Sequence, residues 1–534
     1  MSASIKQVTK KRALRPADSR HANRMNHRPD VKGTGRRFRP HLLTAACLYV
    51  AVAYCFPSNV LPRDTPPPAL AHFIRKPAMQ GASVSLMVRE VESGAVTYAC
   101  DAERLLTPAS VTKTVTTAAA LELLGSDFRF ATAIQYDGHI RDSILYGNLF
   151  IRGSGDPTLC SSEPGAPKDS IPALWVQAVE KAGIRGIEGR IVADESIFDT
   201  EGVSMKWLRE DLGSSYGQGS YGINIFDNRF SLYLDTDTSA AAPSISHCEP
   251  PMPSLTFHNY LSVRPAATDS VSITGFPYVH ERYLYGAVRA GHRRLKIEGD
   301  IPDPPLFAAR HLDALLESRG IAVAGEPSSH RLLAASGEWT AAERTTLITT
   351  CSPPLEHIVR LTNVASLNMY ADALVKTLGL RYLPQDGETI SSFERGTKTV
   401  AAHWKEKGLN AASSVMYDGS GLAPANKFTT AFLCDMYVYM AKTSESFAPF
   451  FESLPRAGAD GTVRTFLKGT ALDGARLKSG SMTGVQGYGG YISKNGKRYA
   501  VALLVNNFSG KNRMMIRAAV EELLLSLFRA IPEP

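Results

Sequence analysis

Thr107-Pro108-Ala109-Ser110-Val111-Thr112-Lys113 opens a run rich in Thr, Ala and Leu that closes at Leu124-Gly125. Pro108 halts an extended chain and Gly125 is a helix terminator, so the pattern predicts a helix beginning at Ser110. Immediately upstream, Ser83 to Arg89 and Ala95 to Ala99 flank the turn signal Glu92-Ser93-Gly94, which predicts a β-hairpin. On the helix Ser110 and Lys113 stand at i and i+3 and share a face. The Ser110 hydroxyl then lies near a helix N-terminus, where backbone N–H groups favour a developing anion. A hydroxyl one turn from an amine is the minimal pair for nucleophilic chemistry.

Two further short motifs follow in order. Leu355 to Leu378 is apolar at helical spacing, preceded by Pro353-Pro354 and followed by Gly379, and Ser366-Leu367-Asn368 falls inside it or at a break. More than a hundred residues later, Lys478-Ser479-Gly480 precedes a Gly-rich strand from Gln486 to Ile492 and a second buried strand from Arg498 to Asn506. Glycines beside a strand leave room for another backbone to approach. Taken singly, each motif reads equally well as a surface turn or a solvated helix face. Together, Ser-x-x-Lys, Ser-x-Asn and Lys-Ser/Thr-Gly are the three motifs of penicillin-recognising serine enzymes.

The surrounding residues narrow this. Residues 107–130, Gly153-Ser154-Gly155-Asp156-Pro157-Thr158-Leu159, Gly189-Arg190-Ile191 with Asp194, and Asp418-Gly419-Ser420-Gly421-Leu422 resemble the D-alanyl-D-alanine carboxypeptidase/endopeptidase family, the class C low-molecular-mass penicillin-binding proteins. The resemblance spans roughly residues 75–530. It implies an α/β (α+β) fold with a β-lactamase/transpeptidase-like catalytic domain, an antiparallel sheet flanked by helices, interrupted by a large, mostly β, nested insertion. The chain divides accordingly into a basic tail (1–41), a signal peptide or membrane anchor (42–61), the catalytic domain (70–138 and 342–534), an insertion domain (139–211 and 320–341) and a nested insertion (212–319). A connection of roughly 250 residues between Ser110 and Ser366 is far too long for a loop and must hold its own domains. Short β-like runs (Leu149 to Arg152, Gly189 to Ala193, Arg229 to Leu234, Ser270 to Thr274, Arg293 to Gly299) fill it, and Phe307 to Gly320 is an amphipathic helix. A last helix, Asn512 to Arg529, should pack on the sheet formed by the two strands before it.

Composition is that of a globular protein: 44% hydrophobic and 21% charged over 534 residues, enough for about three domains. The formal charge of +8 misleads. Residues 1–40 hold 12 Lys/Arg against Asp18 and Asp30, so the remainder is slightly acidic and no nucleic-acid partner is implied. After Arg36, Arg37 and Arg39, the apolar run Leu42 to Phe56 is an export signal, either cleaved or kept as an anchor reaching Leu61. Expected localisation is therefore the periplasm or cell envelope, secreted or N-terminally anchored; inner-membrane attachment and a homodimer are both compatible with the sequence. The long stretch before this signal also raises a translation start at Met25. Cys100, Cys160, Cys248, Cys351 and Cys434 form no Cys-x-x-Cys and no disulfide framework, and no His spacing suits a metal. No cofactor is expected.

The resemblance implies peptidoglycan stem peptides as substrate and β-lactams as inhibitors. Ser110 would attack the carbonyl between two D-alanines, with Lys113 as base. An ordinary lysine pKa near 10.4 would have to fall to about 7, roughly 4.6 kcal/mol against the ammonium, and burial with Lys478 as a second cation is the expected cause. Ser366 would relay a proton to the leaving amine, and Asn368 would hold Lys113 and the substrate amide. Lys478 and Ser479 would bind the terminal carboxylate, beside Gly480. The N–H groups of Ser110 and Ser481 would form the oxyanion hole, and Asp211 would meet a diamino-acid ammonium. Asp156 reads as a structural turn residue. Two positions depart from the family: Ser479 replaces the usual Thr, and Ala423-Pro424-Ala425 stands where Ser-Arg is frequent. The alternatives are a non-catalytic wall-binding or scaffold protein on the same fold, and a β-lactamase or D-amino-acid esterase; the latter pair has its first two motifs much closer together.

Overall fold

The structure is a computed structural model that describes residues 67–165, 170–236, 241–264, 268–381 and 390–533. The basic tail and the apolar segment 42–61 lie outside the described residues, and no helix among the described residues is long and apolar enough to cross a membrane.

The last strand of the chain, Lys497–Asn506, is the centre of the fold. Alternate side chains of a strand point to opposite faces, and here both sets are apolar: Ala500, Ala502 and Leu504 enter one core, while Tyr499, Val501, Leu503 and Val505 enter another. The strand is thus sandwiched between two helical layers. Around it runs a five-stranded sheet in the order Val96–Cys100, Ser83–Glu90, Lys497–Asn506, Val485–Lys494, Arg476–Met482, antiparallel throughout. The chain's two ends therefore build one sheet. Burying Val501, Leu503 or Leu504 is worth about 1.5–3 kcal/mol each.

Helices Thr112–Leu124, Leu355–Val364, Asn368–Gly379, Ser392–Glu406 and Thr430–Lys442 cover one face; Pro68–Arg75 and Arg513–Arg529 cover the other. The Ser110 helix begins with a 3-10 turn, Ala109–Val111, and ends at Gly125, whose φ of 86° no β-carbon favours. The helical pattern from Leu355 onwards is two helices, broken at Ala365 to Leu367 by Ser366 in a left-handed conformation, φ 60°.

Between these halves the chain leaves on Ala131–Tyr136 and returns on Thr345–Cys351, and the two strands pair with each other. They belong to a five-stranded sheet with Leu149–Arg152, Ile191–Asp194 and Ser328–Ser329, covered by helices Ser170–Lys181 and Pro304–Ser318. The second of these starts before Phe307 because Asp303 caps it through Leu306 N (3.2 Å) and the two prolines suit its first turn. Inside this segment the pattern repeats. Arg229–Asp235 pairs with Leu295–Asp300, and that sheet shares a core with a second three-stranded sheet. Its strands Thr256–Arg264 and Glu281–Arg289, a parallel nine-residue pair, escape a hydropathy reading because few of their side chains are both apolar and buried.

Candidate active site

The Ser110 turn is wedged against the edge strand Arg476–Met482. A β-carbon at Gly480 would lie 2.3 Å from the Pro108 carbonyl oxygen and 2.9 Å from Ser110 N, so only glycine admits this approach. Ala109, just before the serine, has φ 47°, and Ser366 is left-handed as well. Such conformations cost of order 1–3 kcal/mol and persist only where surrounding structure imposes them.

These elements bring the three motifs together. Lys113 Nζ donates to Ser110 Oγ (3.1 Å), Asn368 Oδ1 (2.6 Å) and the Ser420 carbonyl (2.7 Å). Lys478 Nζ donates to Ser366 Oγ (2.9 Å) and the Ser479 carbonyl (2.8 Å). Asn368 Nδ2 donates to the Tyr216 carbonyl at 2.8 Å, which ties the motif to the inserted segment. The loop at Ser420 is fixed by two carboxylates. Asp372 Oδ1 accepts from Gly419 N and Ser420 N (2.9 and 3.0 Å), and Asp418 accepts from Gly421 N, Ala423 N, Asn426 Nδ2 and Trp207 Nε1 (2.7–2.8 Å).

Both lysines are fully buried. Burial lowers Lys113 to about 8, against the pull of Asp372 and Asp418. Burial is the leading cause at both lysines, and their like charges repel, so that burial and then Lys113 hold Lys478 well below the ordinary lysine range. Burial, aided by Asp418, pushes Asp372 well above the carboxylate range.

Ser110, Ser366, Asn368 and Ser481 border a cleft of about 960 Å³, together with Asp211, Glu210 and Tyr216. Lys478 is turned to Ser366 beneath the surface rather than towards the open cleft. Ser479 Oγ shares a 2.7 Å hydrogen bond with Thr462 Oγ1. Among the described residues bordering the cleft, the cation is Arg513, whose Nη2 donates to Ser481 Oγ at 2.8 Å. Sequence reading passed over it. Its one signal was a pair of cations, Lys511 and Arg513, at a helix N-terminus, where the macrodipole disfavours positive charge. Burial raises Asp211 above the usual carboxylate range, its hydrogen bond with Tyr216 opposing. Asp156 closes its own turn, accepting from Thr158 N (2.8 Å) and Oγ1 (2.7 Å). Cys100, Cys248, Cys351 and Cys434 are free thiols, and the described residues hold no cluster suited to a metal.

A cleft-facing serine on a buried lysine, beside a second serine–lysine pair, on a helix packed against an antiparallel sheet, defines a penicillin-recognising serine hydrolase. The chain belongs to the D-Ala-D-Ala carboxypeptidase 3 (S13) family, whose model matches residues 68–527, and it is a hydrolase of that class. It is 26% identical over 483 residues to a D-alanyl-D-alanine carboxypeptidase of Actinomadura sp. (strain R39), covering 84% of this chain and 82% of that protein. It is 23% identical over 441 residues to the D-alanyl-D-alanine carboxypeptidase DacB of Haemophilus influenzae, covering 80% and 86%. The crystal structure of penicillin-binding protein 4 (dacB) from H. influenzae superposes with a TM-score of 0.72 at 21% identity, over 85% of this chain and 97% of that one, which shows the fold. That protein has also been solved in complex with a β-lactam, with a TM-score of 0.68 at 20% identity over the same shares of the two chains.

Proposed function

We propose that this chain cleaves the bond after a penultimate D-alanine in peptidoglycan stem peptides, as a carboxypeptidase on free termini, an endopeptidase on cross-links, or both, and that β-lactams acylate it. The observation that carries the reading is Lys113 Nζ, 3.1 Å from Ser110 Oγ, buried and lowered to about 8. A neutral amine there accepts the Ser110 proton as Oγ bonds to the carbonyl carbon. The N–H groups of Ser110 and Ser481 receive the oxyanion. As the carbon–nitrogen bond breaks, Ser366 relays to the leaving amine the proton that Lys113 took from Ser110, so that both lysines return to their starting state. Water then hydrolyses the ester and frees Ser110. The terminal carboxylate meets Ser479, Ser481 and Arg513, a guanidinium and hydroxyls being suited to a carboxylate. Arg513 would thus serve where Ala423-Pro424-Ala425 supplies no arginine. Asp211 and Glu210 face a cationic side chain of the peptide. The enzyme would act outside the inner membrane, exported by the segment 42–61, with the insertion running from Ala131 to Cys351 rather than from 139 to 341.

The test is intact-protein mass after exposure to benzylpenicillin. One adduct mapped to Ser110, absent in Ser110→Ala, supports the reading. A folded wild-type chain that takes no adduct, or wall-fragment hydrolysis that survives Ser110→Ala, overturns it.

A further inference from the structure

The outer face of the sheet built from Thr256–Arg264, Glu281–Arg289 and Ser270–Thr274 is unusual for a solvated surface. The inner face carries Leu261, Ile273 and Leu284 into the core. On the outer face, in-register pairing sets Tyr260 beside Tyr285 and His258 beside Tyr283. The rings are stacked, with centroids 5.4 and 4.6 Å apart. Tyr260 is 60% exposed and Tyr285 46%. The next strand is an edge strand, and opposite Tyr285 and Tyr283 it bears only Ser272 and Thr274. A wall of tyrosine rings therefore rises beside a floor of hydroxyls. This hollow, about 300 Å³, is closed at one end by Phe276, with the Arg209 guanidinium 5.6 Å from the ring centroid.

The short turn Arg209–Asp211 runs from this hollow to the active-site cleft. Glu210 and Tyr216 border the cleft and also a second hollow of about 280 Å³ against Ser272 and Ile273, and Arg209 begins the same short helical turn. A stacked aromatic wall with hydroxyl and carboxylate rims suits a ring that is apolar on its C–H faces and polar at its edge, which is a pyranose. Stacked, exposed aromatic rings on a solvated sheet face mark an interaction site. A second copy of the chain would call for a drier, flatter face with fewer hydroxyls and charges at its centre.

We propose that this face binds the glycan strand of the cell-wall polymer and leads the attached peptide into the Ser110 cleft, an inference that rests on the substrate class proposed above. The test uses the full chain carrying Ser110→Ala, titrated with peptide-free wall glycan and with a tetramer of β-linked N-acetylglucosamine. Expected are saturable binding, a loss of at least about tenfold in Tyr285→Ala, and retention in Tyr285→Phe. In the active chain, Tyr285→Ala should slow digestion of intact wall about tenfold, while hydrolysis of a short soluble peptide and acylation by benzylpenicillin change less than twofold. Absence of glycan binding, equal binding by Tyr285→Ala, or a dimer that this variant dissociates with no effect on glycan overturns the proposal. Glycan binding in a chain whose Ser110 takes no benzylpenicillin would sustain this site and sink the reaction instead.

Discussion

The helix Asn368–Gly379 serves two buried ammonium groups, and they differ in a way that pKa alone does not reveal. At its first residue, Asn368 accepts from Lys113; near its end it carries Lys376. Both lysines are fully buried, and burial lowers both to about 8. Lys376 Nζ donates to the Glu201 and Ser220 carbonyls (2.7 and 2.8 Å) and lies over the rings of Phe198 and Phe393 (5.2 and 4.8 Å). Among the described residues its hydrogen-bond acceptors are backbone oxygens, while Asp199, Glu201 and Asp372 act on it only through their charge. Lys113 has instead a serine hydroxyl among its partners, and that hydroxyl opens onto the cleft. A displaced pKa marks a site only where the proton has somewhere useful to go.

The sharpest way to break the comparison is to remove each amine. Lys113→Met should slow acylation of Ser110 by benzylpenicillin by about 10³-fold, within the range for loss of a positioned base, and Lys376→Met should change it less than about threefold. Stopped-flow mass spectrometry measures both. Comparable losses in the two variants would mean that Lys113 only holds the fold together.

The pH profile separates them next. If neutral Lys113 takes the Ser110 proton, kcat/KM for a D-Ala-D-Ala peptide should rise about tenfold per pH unit below pH 8 and level off above it. The same limb should persist in Lys376→Met. A flat profile from pH 6 to 9 would transfer the role of base to another group.

Much of this site was legible in the sequence because its chemistry is local. Ser110 and Lys113 are one turn apart, and Ser366 with Asn368 sits at a break that a helical pattern can show. What was not legible depends on the inserted chain folding back. Neither the Tyr216 carbonyl on Asn368 nor the Trp207 indole on Asp418 has any spacing signal, since each partner lies more than 150 residues away. Arg513 is only 32 residues from Ser481, and it is hidden because no motif spacing links the start of the last helix to the Ser481 strand. Burial was an expected cause of the Lys113 shift, but its depth and the opposing pull of Asp372 and Asp418 show only in the fold. The hairpin, the last two strands and the final helix were readable from periodicity. The Thr256–Arg264 and Glu281–Arg289 strands were not, because their outer aromatic and polar side chains blur the alternation that a buried strand displays.

The smallest effect tests the Lys376 side of the comparison on stability. Lys376→Met keeps the length and apolar volume of the side chain but leaves the Glu201 and Ser220 carbonyls without a donor, at about 1–3 kcal/mol for each buried group. Against this, the variant no longer buries an ammonium, a burden of about 3 kcal/mol below pH 8 for a lysine moved from its usual value to about 8. The two terms nearly offset at pH 7, so the variant should unfold within about 1 kcal/mol of wild type there. Above pH 8 they no longer cancel. Between pH 8 and 10.5 the unfolded chain holds a proton that folded Lys376 has released, so wild-type stability rises with pH. Lys376→Met lacks that share of the rise, while the contribution of Lys113 is common to both proteins. The wild-type advantage in urea midpoint should therefore widen from pH 7 to pH 10. A gap that stays constant would mean that Lys376 remains protonated in the fold, so that of the two lysines this helix serves only Lys113 has a lowered pKa.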